Sequence, residues 1–462
     1  MSDNSGQWIH MVGIGGAGMN GIARVLTEQG IKVTGSDLQH NDITEQLEQI
    51  GITVYQGHSS SHLQEGVDVL VISSAIPMDN PEVVLARHRK IPVLKRGQML
   101  ANLVNCSKGI AVAGAHGKTT TTFMIYTVLS GCGLDPALIV GGELQDHHLN
   151  ARLGADDYFI VEADESDASF LELHPKIAVV TNMEDDHLDY YHTMERLKDA
   201  FRQYIDGVQP KGLAILYGDD LGLRKIAASS PTRQVFYGEN ETNDYILKNW
   251  NPDGWGSVFE VYEYGQRLGN VRVSVPGRHN ALNALAAMAT GRELGLEFES
   301  MREAISAFHG AKRRFQIMGE HNGIMVIDDY AHHPTELKAT LRAARSYHPG
   351  RLITVFQPHR YSRTRQLGSQ LGEALQNCDL AIITNIYAAG EAPIPGVDSN
   401  IVFNAAQQAG CTAVFIPEPE DVIAYLVDIC RAGDLIITMG AGDVWEIGPA
   451  LINRLQQSVP QP

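Results

Sequence analysis

Cysteine is scarce in this chain of 462 residues, and none of its five cysteines forms a CxxC or other close pair. This pattern argues against a disulfide framework and a thiolate zinc site, and it is typical of a reducing compartment. Basic residues are also in short supply, because 36 Lys and Arg face 54 Asp and Glu and the formal charge is −18. A chain of this charge repels polyphosphates, so we expect no nucleic-acid partner. Any anionic ligand must then be bound by local clusters of Arg, Lys and backbone N–H groups.

Long apolar runs are missing as well. No run approaches the ~20 residues of a membrane span, and the opening MSDNSGQWIHMVGIG lacks the basic stretch and apolar run of a signal peptide. We therefore expect a cytoplasmic protein without membrane insertion. The apolar fraction of 44% excludes a disordered chain. The length is about three times the ~150 residues of an average domain, which predicts two or three domains.

The same succession of apolar strand, glycine-rich or polar turn and helix begins three times along the chain. The three starts are WIHMVGI (residues 8–14), GIAVAG (109–114) and GIMVIDDYA (323–331). Apolar strands separated by amphipathic helices are typical of buried parallel sheets. Residues 245–276 are β-rich with Asn, Asp and Gly between the strands, which predicts antiparallel hairpins. We therefore predict three α/β units in tandem, the middle one with a β insertion.

The segment GIGGAG (residues 13–18) stands between the first strand and a helix. Its glycines let the backbone approach a pyrophosphate, and the helix N-terminus supplies N–H groups and positive potential. Asp37 closes the next strand, where an acidic residue would meet a ribose. A nicotinamide dinucleotide and UDP both offer a diphosphate and a ribose, and a tight turn without a ligand is the remaining alternative.

A second glycine-rich segment, GAHGKTTTT (residues 114–122), gives a stronger signal. A Gly-Lys-Thr triplet between strand and helix places N–H groups and the Lys118 ammonium around β- and γ-phosphates, and lets the Thr119 hydroxyl reach Mg²⁺. The segment departs from G-x-x-x-x-G-K-[ST], because Val112 stands where the first glycine is expected and the nearest glycine is Gly114. The loop is therefore shorter than a common P-loop.

Candidate metal ligands follow the next two predicted strands. VEADESD supplies Glu162, and DDHLDYY supplies His187. Magnesium prefers carboxylate and phosphate oxygens, which makes Glu162 the better candidate and His187 the more unusual one. Read singly, the carboxylate is a solvated loop charge and the histidine a structural imidazole. Their joint position after successive strands favours a metal site.

The third unit carries two polar segments after strands. FQPHRYSRTR places Arg360 and Arg363 one helical turn apart beside His359, an arrangement that suits a carboxylate or phosphate. A solvated basic face is the alternative. The segment DDYAHHPTE contains Pro334 and Thr335, which suit a first helical turn. A simple helix-capping sequence would therefore also explain this segment.

Together these segments resemble the Mur ligases of peptidoglycan synthesis, and most of all the branch that adds L-alanine to UDP-N-acetylmuramate. The matching stretches span nearly the whole chain in the family's order, and the short P-loop is the family's form: GIGGAGM, GAHGKTTTT, VEADESDASF, DDHLDYY, GRHNALNA, RRFQ, DDYAHHPTE, FQPHRYSRT and GAGDVW. The resemblance implies an α/β protein of three domains. These are a Rossmann-like UDP-sugar-binding domain (1–107), a central P-loop ATP-binding domain with a β insertion (108–314) and a Rossmann-like amino-acid-binding domain (315–462).

The resemblance also implies the reaction. An ATP-dependent, ADP-forming ligase would convert the lactyl carboxylate of UDP-N-acetylmuramate into an acyl phosphate, which the amine of L-alanine then attacks. The expected cofactors are ATP and Mg²⁺, with Mn²⁺ as the alternative metal. The expected partners are UDP-N-acetylmuramate, L-alanine and ATP, and the chain would be a monomer or a homodimer.

Four sets of site residues follow from the same resemblance. The UDP-sugar site comprises Gly13, Gly15, Gly16, Gly18, Met19, Ser36, Asp37 and Ser73. The ATP site comprises Gly114, Ala115, His116, Gly117, Lys118, Thr119, Thr120, His279, Asn280, Arg313 and Asp329. The amino-acid pocket comprises Tyr330, His332, Arg360 and Arg363. The catalytic candidates are Lys118, His332, Arg360 and Arg363, with His332 as the candidate base. The metal ligands would be Thr119, Glu162 and His187.

Phe201 stands where later Mur ligases carry a carbamylated lysine, which is not expected in the alanine-adding branch. The nearest rival is a relative that joins a preformed murein peptide to the same UDP-sugar, but Tyr330 and the paired arginines favour a small amino acid. A nicotinamide-dependent oxidoreductase would leave the GKT loop unexplained. A non-catalytic UDP-sugar binder would not need Lys118, Glu162 and His187.

Overall fold

A computed structural model describes residues 6–145, 149–184 and 188–457. Within these residues it contains three β-sheets of five, ten and six strands in chain order, which confirms the predicted three-domain α/β architecture. The chain divides into two compact units, and the first holds the whole first sheet and most of the second. The units are Met1–Lys248, Glu260–Val271 and Leu282–Phe308, and Asn249–Phe259, Arg272–Ala281 and His309–Pro462. Because this division differs from the three proposed ranges, the domain boundaries stay a prediction.

The first sheet is parallel, with the strand order β3-β2-β1-β4-β5. Its strands are β1 Trp8–Val12, β2 Lys32–Asp37, β3 Thr53–Gln56, β4 Val69–Ile72 and β5 Val93–Lys95, and its helices are α1 Ala17–Glu28, α2 Asp42–Gln49, α3 Pro81–His88 and α4 Arg96–Asn105. The strand order reverses beside β1, so the loop after β1 lies where open α/β sheets bind ligands. Strand β3 was not predicted, because this edge strand, TVYQ, has no apolar run.

The second sheet has the order β15-β14-β13-β12-β11-β10-β6-β9-β7-β8. Its strands are β6 Lys108–Ala113, β7 Ala137–Ile139, β8 Ala151–Arg152, β9 Tyr158–Glu162, β10 Ile177–Val180, β11 Leu213–Tyr217, β12 Arg233–Gly238, β13 Tyr245–Asp253, β14 Gly256–Glu263 and β15 Gln266–Val273. Its helices are α5 Lys118–Gly131, α6 Leu188–Tyr191, α7 Met194–Asp206, α8 Leu221–Ala227, α9 Arg278–Glu293 and α10 Phe298–Ser306. Two-residue turns join β13 to β14 and β14 to β15, a connection that requires antiparallel strands. The predicted β insertion is therefore present, as an extension of this sheet.

An aromatic cluster packs α7 against the second sheet. The ring centroid of Phe170 lies 5.4 Å from that of Phe201 and 5.0 Å from that of Tyr204. The Tyr204 hydroxyl donates a hydrogen bond to the Ala111 carbonyl of β6 at 2.8 Å. Phe201 is 1% exposed. Phe201, the residue for which the resemblance predicted no carbamylated lysine, is thus part of an apolar core.

The third sheet has the order β16-β17-β21-β18-β19-β20, in which the edge strand β16 pairs antiparallel with β17 and the other neighbouring strands pair parallel. Its strands are β16 Gln316–His321, β17 Ile324–Asp329, β18 Arg351–Phe356, β19 Leu380–Ile383, β20 Ala413–Phe415 and β21 Asp434–Met439, and its helices are α11 Pro334–Tyr347, α12 Tyr361–Ala374, α13 Asn400–Gln408, α14 Pro419–Ile429 and α15 Ile447–Gln457. Helix α11 begins at Pro334 with a capping box between His333 and Glu336, as its sequence predicted. No helix in the described part of the chain is long and apolar enough to cross a membrane.

Candidate active site

The glycine loop after β1 is tied to the end of β2. The N–H groups of Gly13 and of the residue after it donate to the Ser36 carbonyl at 2.8 and 3.1 Å. The N–H of Gly15 donates to Oδ2 of Asp37 at 2.9 Å. Gly13 has a φ of +77°, and a Cβ there would lie 3.1 Å from Cβ of Ser73. The structure therefore brings these predicted UDP-sugar residues together, and it shows that one Asp37 oxygen is used to fix the loop.

The same loop opens helix α1 beside an arginine that the sequence analysis missed. Gly16 precedes the helix, and the N–H of Met19 donates to its carbonyl at 2.9 Å. The Met19 side chain is 1% exposed and belongs to the hydrophobic core. A Cβ on Gly18 would lie 2.8 Å from Nη1 of Arg96, so glycine is needed here for the guanidinium to approach α1.

Behind the loop lies a buried carboxylate, Glu82, with histidine and serine partners. Its side chain is fully buried and accepts hydrogen bonds from the Ser36 hydroxyl at 2.9 and 3.0 Å. Nε2 of His10 lies 2.7 Å and Nδ1 of His58 lies 3.2 Å from its oxygens. Burial alone would raise the pKa of Glu82, but His10, Ser36 and His58 outweigh it and hold the pKa below its usual value. Glu82 carries no sequence signal, because it stands in an ordinary first helical turn after Asn-Pro.

The P-loop after β6 has two glycines that the fold requires. Gly117 has a φ of +82°, and a Cβ there would lie 2.7 Å from Oδ1 of Asn283. Gly114 has a φ of +131°, and a Cβ there would overlap the Thr181 hydroxyl. Between them the N–H of His116 donates to Oδ1 of Asn182 at 2.9 Å. The loop is therefore held on one side by residues that follow β10.

Lys118 begins helix α5 and is paired with an acid from the segment that follows strand β9. Its Nζ donates to Oε1 of Glu165 at 2.6 Å, to the Gly114 carbonyl at 2.7 Å and to the Ala115 carbonyl at 3.4 Å. Burial alone would lower the pKa of Lys118, but Glu165 and Glu162 outweigh it and raise the pKa above its usual value. The lysine therefore keeps its positive charge inside the protein.

The predicted metal ligands Thr119 and Glu162 contact each other. The Thr119 hydroxyl lies 3.1 Å from both carboxylate oxygens of Glu162, and the N–H of Gly141 donates to Oε2 at 3.3 Å. Hydroxyl and carboxylate oxygens are the donors that Mg²⁺ prefers, so this pair fits the ion. Thr120, the next residue, is 7% exposed in the first turn of α5. His187 lies outside the described residues.

In the second unit, Arg313 and Asp329 organise one turn. Arg313 has a φ of +59°, and its Nε donates to Oδ2 of Asp328 at 3.1 Å. Asp329 accepts the N–H groups of Phe315 at 2.7 Å and Ala331 at 2.9 Å. Burial raises the pKa of Asp329 to about 6. Both residues were predicted to contact ATP, and the structure shows that each also holds the turn.

Asn280, one of the predicted ATP-site residues, lies at the start of α9 together with His279. Asn280 is 8% exposed, and its Nδ2 donates to the Pro276 carbonyl at 2.7 Å. His279 is exposed. Both residues belong to the second unit, as do Arg313 and Asp329. The predicted ATP contacts outside the P-loop are thus all in that unit.

Four rings form a row beside the predicted amino-acid pocket. The His332 ring centroid lies 5.3 Å from that of Tyr330 and 5.8 Å from that of His359, which stacks on Tyr387 at 5.7 Å. Nδ1 of His332 lies 3.0 Å from the Tyr330 carbonyl. Burial lowers the pKa of His332 to about 4, although Glu336 opposes the shift. The imidazole is therefore neutral at pH 7, with Nδ1–H donating to the carbonyl and Nε2 left as an acceptor.

Arg360 and Arg363 stand at the start of α12, where positive side chains oppose the helix dipole. Arg360 has a φ of +64° and a ψ of 141°, a sparsely populated conformation that costs a non-glycine residue about 1–3 kcal/mol. Its N–H donates to the Tyr387 carbonyl at 2.8 Å. Burial, His332 and both arginines lower the pKa of His359 to about 3. The arrangement concentrates positive potential in a place suited to a carboxylate, and sequence reasoning missed Tyr387 because it lies far along the chain.

Comparisons with known proteins cover the whole chain. Three family models match: the Mur ligase family, catalytic domain (residues 8–108), the Mur ligase middle domain (112–291) and the Mur ligase, glutamate ligase domain (313–442). The chain is 59% identical over 463 residues to the UDP-N-acetylmuramate–L-alanine ligase of Syntrophomonas wolfei, covering 99% of each chain. It is 49% identical over 452 residues to the enzyme of the same name from Desulforamulus reducens, covering 97% of this chain and 98% of that one.

Two solved structures are similar over the full length. The crystal structure of UDP-N-acetylmuramate–alanine ligase MurC from Thermotoga maritima superposes with a TM-score of 0.82 at 28% identity, covering 98% of this chain and 99% of that one. A murein peptide ligase from Psychrobacter arcticus superposes with a TM-score of 0.72 at 26% identity, covering 99% of this chain and 100% of that one.

Proposed function

Since the chain belongs to the Mur ligase family, we propose that it joins L-alanine to the lactyl carboxylate of UDP-N-acetylmuramate while ATP is converted to ADP and phosphate. The observation that carries this proposal is the 59% identity to an alanine ligase over 99% of both chains. The reaction is the first amino-acid addition to the peptidoglycan precursor. The site geometry supports the proposal, because the chain has both a P-loop at residues 114–117 and the two arginines Arg360 and Arg363, which suit a carboxylate.

A carboxylate is a poor electrophile, so the reaction must activate it first. A carboxylate oxygen of the sugar nucleotide attacks the γ-phosphorus of ATP, the bond to the β-phosphate breaks, and ADP leaves. The product is an acyl phosphate. Lys118 is charged and stands at the N-terminus of α5, where it can neutralise charge shared by β- and γ-oxygens.

The metal belongs to this proposal as well. We propose that Thr119, Glu162 and His187 hold Mg²⁺, with Mn²⁺ as a substitute. When bound, the ion neutralises phosphate charge and orients the β- and γ-oxygens. In the described part of the chain, the 3.1 Å contact between the Thr119 hydroxyl and Glu162 keeps two oxygen donors together for it.

Alanine would bind in the second unit through its carboxylate and its amine. Arg360 and Arg363 provide the cations for the carboxylate, and Tyr330 lines the pocket. The neutral His332 can accept a hydrogen bond from the alanine ammonium at Nε2. The ammonium loses a proton, nitrogen attacks the acyl carbon, and phosphate leaves. A base with a pKa of about 4 retains a proton only briefly, so His332 serves mainly to orient the amine and pass its proton to solvent.

The experiment follows the acyl oxygen. UDP-N-acetylmuramate labelled with ¹⁸O in its lactyl carboxylate is incubated with ATP and L-alanine, and the released phosphate is analysed by mass spectrometry. Transfer of one labelled oxygen to phosphate is expected, and its absence would refute activation by phosphoryl transfer. The same assay with a murein tripeptide in place of L-alanine tests the alternative that the chain attaches a preformed peptide. Turnover with the tripeptide alone would favour that alternative.

A further inference from the structure

Arg96 presents its two terminal nitrogens to two different parts of the first unit. Nη1 lies 2.8 Å from the position of a Cβ on Gly18, at the start of α1. Nη2 donates to Oδ2 of Asp164 at 3.1 Å. The Arg96 side chain is 20% exposed and that of Asp164 is 37% exposed. The guanidinium is therefore held in place but remains accessible to a ligand.

The Gly18 side of this arginine is an anion-binding environment. The loop of residues 13–18 opens helix α1, whose first N–H groups and dipole favour negative charge. No acidic residue occurs in the first turn of α1. A planar guanidinium beside such a turn matches two phosphate oxygens in a way that an ammonium does not.

The Asp164 side leads to the P-loop. Asp164 stands between Glu162, which contacts Thr119, and Glu165, which pairs with Lys118. Its other oxygen, Oδ1, accepts the N–H of Ser166 at 3.0 Å. Asp164 thus connects Arg96 to the segment whose glutamates contact Lys118 and Thr119.

We propose that Arg96 binds the diphosphate of the sugar nucleotide through Nη1 while Nη2 holds Asp164, so that one guanidinium couples the sugar-nucleotide site to the ATP site. This inference rests on the proposed function, because it takes UDP-N-acetylmuramate as the ligand of the first glycine loop. It adds a positioning role that the glycine motifs do not contain. Diphosphate binding would fix Arg96, and Arg96 would fix the segment that carries Glu162 and Glu165.

The binding test uses UDP and uridine as probes on the full chain, by isothermal titration calorimetry and by ligand-observed NMR for the weaker probe. Arg96→Ala is expected to lower the affinity for UDP about tenfold or more and to leave the affinity for uridine unchanged, because uridine has no phosphate. Lys95→Ala is the matched control, since it removes an exposed positive charge one residue away and should leave both affinities unchanged. Thermal unfolding of each variant checks that it is folded.

The coupling test measures UDP affinity with and without Mg²⁺ and ADP, a pair that cannot react. Wild type should show a several-fold difference between the two conditions, and both Arg96→Ala and Asp164→Asn should abolish that difference. Equal losses for UDP and uridine, or no loss for UDP, would overturn the role of Arg96 in diphosphate binding. A difference that survives in Asp164→Asn, or is missing in wild type, would overturn the coupling.

These outcomes are distinguishable from failure of the proposed function. The binding measurements involve no turnover, so a ligase that forms the alanine product but is indifferent to Arg96→Ala refutes only this inference. A wild-type chain that does not bind UDP refutes both.

Discussion

The two glycine loops of the first unit are built alike but differ in what they add to the backbone. Each follows a parallel strand in its sheet and opens a helix, α1 after residues 13–16 and α5 after residues 114–117. The first loop is fixed by an acid, Asp37, which accepts a hydrogen bond from the N–H of Gly15. The second carries a cation, Lys118, which is held by Glu165 at 2.6 Å.

This difference separates holding a phosphate from transferring one. A loop that offers N–H groups and a nearby guanidinium stabilises a diphosphate that remains intact. A loop that adds an ammonium, a hydroxyl and a carboxylate can neutralise charge that develops when a phosphoryl group moves. The comparison predicts that substitutions in the first loop change the affinity for UDP, whereas substitutions in the second loop change turnover and the affinity for ADP.

The largest expected effect is on turnover. Lys118→Ala should lower kcat about 10³-fold, because it removes the cation at the β- and γ-oxygens, while the affinity for UDP stays unchanged. Steady-state kinetics and calorimetry measure the two quantities. Lys225→Ala, an exposed lysine of α8, is the control. A parallel loss of UDP affinity in Lys118→Ala would break the comparison.

The next effect is on stability. Glu165→Gln should lower the free energy of unfolding by about 3 kcal/mol at pH 7, because the lysine is left charged without its buried partner. Glu165 raises the pKa of Lys118 above the ordinary 10.5, so the stabilisation is complete below that value and is lost as pH rises through the higher folded pKa.

Urea unfolding at pH 7 and at alkaline pH tests this sign. The difference in the free energy of unfolding between wild type and Glu165→Gln should narrow at alkaline pH. A difference that widens would contradict the pairing of Glu165 with Lys118. Glu172→Gln, an exposed glutamate in the same part of the chain, should show no gap.

Alanine at the left-handed glycines should sharpen the comparison further. Gly13, Gly117 and Gly30 have φ values of +77°, +82° and +81°, so each alanine should cost about 1–2 kcal/mol of stability. Measured with one nucleotide at a time, Gly13→Ala should also weaken only the binding of UDP, and Gly117→Ala should also weaken only the binding of ADP. Gly30→Ala is the control, because nothing lies within 4 Å of its Cβ position. Each variant is titrated with UDP and with ADP. A substitution in one loop that weakened the binding of both nucleotides would contradict the prediction that the loops bind different ligands.

The smallest expected effect concerns pH and the first loop alone. Glu82 has a folded pKa below the ordinary 4.5, so its stabilising contribution is present above that value and is lost as pH falls through the folded pKa. Glu82→Gln should flatten the loss of stability in this acid window, measured by thermal unfolding from pH 6 to 3. Glu65→Gln, an exposed neighbour in the chain, should keep the wild-type slope.

The sequence predicted the elements that depend on local pattern. The glycine loops, the strands that precede them and the start of α11 at Pro334 follow from nearby residues, and the structure confirms them. The edge strands β3 and β16 were missed, because solvent on one side removes the continuous apolar run that marks a buried strand.

The partners of the site residues could not be predicted in the same way. Glu165 lies in the segment VEADESD, from which the sequence singled out only Glu162, but the pairing of β6 with β9 brings it to Lys118, 47 residues away. Arg96 and Glu82 have no motif around them, and their roles depend on contacts between distant segments. The low pKa of His332 depends on burial, which no local pattern reports.

The aromatic packing of Phe201 against Phe170 bears on whether the activity of the chain depends on dissolved bicarbonate. A lysine that carries a carbamate needs dissolved carbon dioxide, and its occupancy follows the bicarbonate supply. In this chain, Phe201 stands where the resemblance would place such a lysine. Its phenyl ring is 1% exposed and offers no nitrogen for such a reaction. The chain should therefore work equally well in degassed buffer, independent of how much bicarbonate the surroundings provide.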